Sequence, residues 1–77
     1  MINYSFAADQ RELGEYALYV KQIRDNNGLL SDESMVAVMQ ITPSILRIIR
    51  QVISEHPDWD DEEVADEVIF MEEQEQQ

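Results

Sequence analysis

An all-α fold of four short helices follows from three observations. Apolar residues recur at spacings of three and four along most of the chain. A capping side chain stands just ahead of three of these runs. Asn26-Asn27-Gly28 and His56-Pro57 then interrupt the periodic runs with residues suited to helix ends.

From about Ser5 to Asp25, the positions Leu13, Tyr16, Ala17, Val20 and Ile23 form one stripe, so the first helix turns that face inward. Gly14 costs this helix about 1 kcal/mol relative to alanine, which suggests close approach of another backbone. Leu18 falls outside the stripe and is expected at the surface. Asn26-Asn27-Gly28 ends the helix, since asparagine and glycine tolerate the left-handed conformation of a C-terminal cap.

The next three starts share one logic. Ser31 caps a helix over 32–39, with Leu30 placed to pack on Met35. Thr42 caps a helix over 43–55, where Pro43 suits the first position because its missing N–H has no helical partner there, and Ile41 is placed to pack on Leu46. Asp60 and Glu63 form a capping box for a helix over 61–71, with Trp59 facing Val64. That helix should present Val64, Ala65, Val68 and Met71 inward; Trp59, Phe70, Met35 and Met39 are further core candidates, although Phe70 lies off the stripe. Phe70 and Leu18 are candidate contacts for a second copy or a partner. Residues 1–71 therefore read as one domain, and 72–77, Glu-Glu-Gln-Glu-Gln-Gln, as a fraying or disordered tail.

Seventy-seven residues close only one modest core, and without cysteine there is neither a disulfide nor a thiolate metal site to staple it. No stretch approaches the roughly 18 apolar residues that span a bilayer, and no basic start precedes an apolar run, so a cytoplasmic location is the default expectation. The net charge of −12 is unevenly placed. All five bases (Arg11, Lys21, Arg24, Arg47, Arg50) share residues 1–53 with six acids, whereas residues 54–77 carry eleven acids and neither Lys nor Arg. A nearly neutral body thus meets an anionic end.

On a helical wheel the run around Pro43 places Ile45, Leu46, Ile48, Ile49, Val52 and Ile53 within an arc of about 160°, with Ser44, Arg47, Arg50, Gln51 and Ser54 opposite. Residues 32–51 resemble the phage-repressor type of helix-turn-helix: Met35, Met39, Ile41, Leu46 and Ile49 stand at its expected apolar places. Gln40 occupies the turn position usually held by glycine, and Val36 that of a small residue. The resemblance implies a helix-turn-helix-like, trihelical centre in which Ser44, Arg47, Arg50 and Gln51 face the DNA groove, arginine forking onto guanine and glutamine onto adenine. Five bases against seventeen acids are poor equipment for neutralising phosphates, so a solvated face or a protein-binding face competes with that reading. Arg47 and Arg50 could also pair with the acidic segment of the same molecule, masking that face.

Glu55, Asp58, Asp60, Asp61, Glu62, Glu63, Asp66 and Glu67 crowd the anionic end. Those at the start of the last helix are favoured by its dipole. The rest solubilise, or offer Asp58, Asp61, Glu62 and Asp66 to a basic protein partner. Asp58-Trp59-Asp60-Asp61-Glu62 begins like a calcium loop, but Glu63 replaces the sixth-position glycine and Ile69 the twelfth-position glutamate. One histidine, His56, is placed to cap the third helix; no histidine pair, cysteine nucleophile or glycine-rich phosphate loop exists. A non-enzymatic regulatory or adaptor-like module without cofactor or metal is the expectation, binding another protein, with a basic one as the candidate for its acidic end. A DNA-binding regulator, dimeric in form, is the alternative.

Overall fold

The computed structural model describes residues 10–75 and arranges them as α1 (Gln10–Asp25), α2 (Asp32–Met39), α3 (Pro43–Glu55) and α4 (Asp61–Glu75). The described residues contain no strand, so the fold is all-α. The expected first turns of α1, residues 5–9, lie outside the described residues, as do Gln76 and Gln77 of the expected tail.

Each capped start has the geometry its residues imply. Ser31 is extended, and its Oγ accepts from the Ser34 N–H at 3.1 Å. Thr42 Oγ1 accepts from the Ile45 N–H at 3.1 Å, with Pro43 at the first helical position. At α4 the box is reciprocal: the Glu63 N–H donates to Asp60 Oδ1 at 2.8 Å, and the Asp60 N–H to Glu63 Oε1 at 2.9 Å. α1 closes where the Asn26 N–H and Nδ2 both donate to the Gln22 carbonyl, and Gly28 follows at φ 82°. Of the staple expected at α2, Met35 is buried and Leu30 is exposed.

α4 is the spine of the molecule. α1 packs along it antiparallel, so that Tyr16 meets Glu72 at one end and Arg24 meets Asp61 at the other. α3 packs on α4 as well, while α2 reaches the body chiefly through α3. Serving two neighbours widens the apolar face of α4: Val64, Ala65, Val68 and Ile69 are buried, and Met71, expected in the stripe, is only half-buried. The remaining core is Tyr16, Val20, Ile23, Met35, Ile41, Leu46, Ile48, Ile49 and Val52, with Ile45, Ile53, Met39 and Trp59 packed at its edge. Trp59 lies flat on His56, ring centroids 3.6 Å apart and planes within 7°. His56 is the C-cap of α3, its N–H bonded to the Val52 carbonyl. Phe70, also a core candidate, is exposed, as is Leu18.

Two further expectations change. Among the described residues no atom lies within 4 Å of where a Cβ on Gly14 would stand, so it marks no close approach of α2, α3 or α4. Gly14→Ala should therefore raise stability by about 0.5–1 kcal/mol, read as a thermal midpoint about 2–8 °C higher by circular dichroism. The acidic stretch past Met71 does not fray at once: α4 continues to Glu75, and Glu72 accepts a hydrogen bond from the Tyr16 hydroxyl.

Burial, reinforced by the Glu72 carboxylate, pushes the Tyr16 phenol well above its ordinary value of 10.0. A raised folded-state pKa gives stability that is complete below the unfolded value and is lost as pH rises above about 10, where the unfolded chain ionises first. Denaturant titrations between pH 9 and 11 should show this decline in the native chain, and a shallower one in Tyr16→Phe.

Candidate interaction surface

The surface begins at the break between α2 and α3. Gln40, at φ 58° and ψ 43°, adopts the left-handed conformation that glycine would take there, and its N–H bonds to the Val36 carbonyl. An unbranched β-carbon tolerates that conformation at a cost of roughly 1 kcal/mol. Across residues 40–42 the chain bends by 112°, an angle within the range of helix-turn-helix motifs. Behind this hairpin α3 packs on α4, and α2 reaches the body chiefly through α3.

The bend opens a groove of about 530 Å³ between the two helices. Val36, Pro43 and Leu46 form its apolar floor; Asp32 and Glu33 stand on the α2 side, and Arg47 and Arg50 on the α3 side. Arg50 Nη1 crosses to Asp32 Oδ1 at 2.8 Å, tying the walls together at one point. Arg47 is exposed and forms no ion pair among the described residues. The other two members of the expected face lie further round α3: Ser44 is half-buried, and the exposed Gln51 donates through Nε2 to Glu55 Oε2 at 3.2 Å. The structure thus joins Arg47 and Arg50 to one groove but leaves Ser44 and Gln51 outside its lining. The floor and the acidic wall were not legible as a site. Their one sequence signal was the juxtaposition of Asp32 and Val36, one turn apart on a helix too short to be wholly buried.

Among the described residues, neither Arg47 nor Arg50 forms the ion pair with the acidic end that the sequence would also allow. Arg50 pairs with Asp32 on the neighbouring helix, and Arg24 reaches the acidic end at Asp61. Arg24 Nη1 donates to Asp61 Oδ1 at 2.5 Å and Nη2 to the Trp59 carbonyl at 2.8 Å, fastening α1 to the start of α4. Asp61 is therefore a half-buried strut. Asp58, Glu62 and Asp66 remain exposed, and Phe70 continues the row of Glu62 and Asp66 at four-residue spacing. No group of three or more His, Asp or Glu side chains that could hold a metal ion occurs among the described residues. No helix among them is long and apolar enough to cross a membrane by itself.

No protein-family model, curated protein or solved structure matches the chain significantly.

Proposed function

We propose that this chain is a non-enzymatic, regulatory or adaptor-like interaction module that binds another protein through the α2–α3 groove, with its acidic end steering basic partners toward it. The observation that carries this reading is the groove itself: an open apolar floor of Val36, Pro43 and Leu46 between walls of opposite charge. Such a floor accepts an apolar side chain of a partner, and the charged walls fix its orientation. The exposed carboxylates Asp58, Glu62 and Asp66 lie outside the groove and act at longer range, raising the association rate with a basic surface.

In-cell crosslinking followed by mass spectrometry identifies the partner, and the purified pair then tests the site. Val36→Asp, a charge on the groove floor, should weaken binding by about tenfold or more while helicity is retained. Asp66→Lys should slow association and flatten its salt dependence. Equal affinity for native chain, Val36→Asp and Arg47→Glu would remove the groove from the function.

The second reading, a helix-turn-helix DNA-binding regulator, draws on the 112° hairpin and the exposed Arg47 and Gln51. Against it, Asp32 and Glu33 line the same groove as the two arginines and would confront phosphates. A gel shift on the DNA flanking its own coding sequence separates the two. DNA binding would fall steeply with salt and vanish in Arg47→Glu, whereas the interaction module leaves DNA unshifted.

A further inference from the structure

We infer that a second, smaller cavity, between the C-terminal halves of α1 and α3, is a binding site for a small oxyanion, a carboxylate or phosphate. The cavity measures about 260 Å³ and is lined by Ile23, Arg24, Asn27, Arg50, Ile53 and Ser54. Every polar side chain in that lining can donate a hydrogen bond, and none is a carboxylate. This is a conspicuous arrangement in a chain with seventeen acids and only five Lys or Arg, two of which converge here.

Both guanidinium groups are held from outside the cavity. Asp61 and the Trp59 carbonyl fix Arg24, and Asp32 fixes Arg50; neither aspartate belongs to the lining. These contacts occupy two of the five N–H donors of Arg24 and one of those of Arg50, so each fork retains donors for a further acceptor. Asn27 and Ser54 make no side-chain hydrogen bond among the described residues. The buried Ile23 and half-buried Ile53 lower the local polarity, which strengthens hydrogen bonds to an anion and gives a short aliphatic body a place to rest. Because the two ion pairs leave the cavity close to neutral and the whole molecule is anionic, binding here depends on oriented donors and not on long-range attraction. The site is separate from the groove, apart from Arg50, which borders both.

The test is a ¹H–¹⁵N correlation titration of the full chain with inorganic phosphate, and separately with isobutyrate, each against sodium chloride at matched ionic strength. Saturable shifts centred on Arg24, Asn27, Arg50 and Ser54 are expected, and the stronger of the two probes tells whether the head group or the apolar floor dominates. Asn27→Asp, which places a carboxylate in the lining without removing a side-chain bond, should weaken binding by about tenfold or more. Ser54→Ala should weaken it less. Shifts reproduced by chloride alone, or unchanged affinity in both variants, would overturn the assignment. Either result leaves the groove reading untouched, because Val36 and Arg47 lie outside this cavity.

Discussion

Ile49→Ala should remove a large part of the stability of the chain, about 2–5 kcal/mol. Ile49 has no solvent exposure and lies in the core formed where α3 packs on α4, so truncation leaves a void walled on several sides. A domain of this length is stable by roughly 4–12 kcal/mol in total, which makes the loss a sizeable share of what holds it folded. Urea unfolding followed by circular dichroism should show the midpoint fall sharply. Ile49→Val, which removes one methylene, should cost only about 0.5–1.5 kcal/mol. An alanine variant within 1 kcal/mol of the native chain would mean that α3 is not sunk against α4.

Arg24→Met carries the second largest effect, about 1–2 kcal/mol. The guanidinium joins the end of α1 to the start of α4, and its loss leaves Asp61 and the Trp59 carbonyl without that donor. Hydrogen bonds to charged groups contribute about 1.5–3 kcal/mol. Side-chain exposures of 29% and 35% admit enough solvent to trim that figure. A double-mutant cycle with Asp61→Asn should return a coupling above about 0.5 kcal/mol. The fully solvated pair Lys21–Asp25, at 60% and 61% exposure, serves as the comparison, and its removal should barely register.

The elements legible in the sequence were those written in local chemistry. Ser31, Thr42 and Asp60 with Glu63 named three helix starts because a cap and its partner sit within three residues of each other. The apolar arc of α3 was equally readable, since Leu46, Ile48, Ile49 and Val52 are all buried. What the sequence could not disclose depended on which helices meet. The burial of Ile69 follows from α4 having two neighbours, and the continuation of α4 to Glu75 accompanies a hydroxyl 56 positions away. Arg24 reaching Asp61, in place of Arg47 or Arg50, is likewise a consequence of the antiparallel docking of α1 and α4. Gly14 misled because a helical glycine has the same identity whether it admits a neighbour or merely faces water. At the candidate surface the arginines and the glycine-like turn position of Gln40 could be named, but the groove could not: it depends on which side chains of α2 and α3 line the gap that the bend opens.

The slight attachment of α2, chiefly to α3, gives the molecule unequal walls. An eight-residue helix is too short to persist in water unaided, and this one leans chiefly on α3. Its amides should exchange with deuterium well before those of α3 and α4, as a unit that opens while the rest stays closed. One side of the groove is then an anvil and the other a latch, so occupancy by a partner should be visible first as slowed exchange in Met35 to Met39.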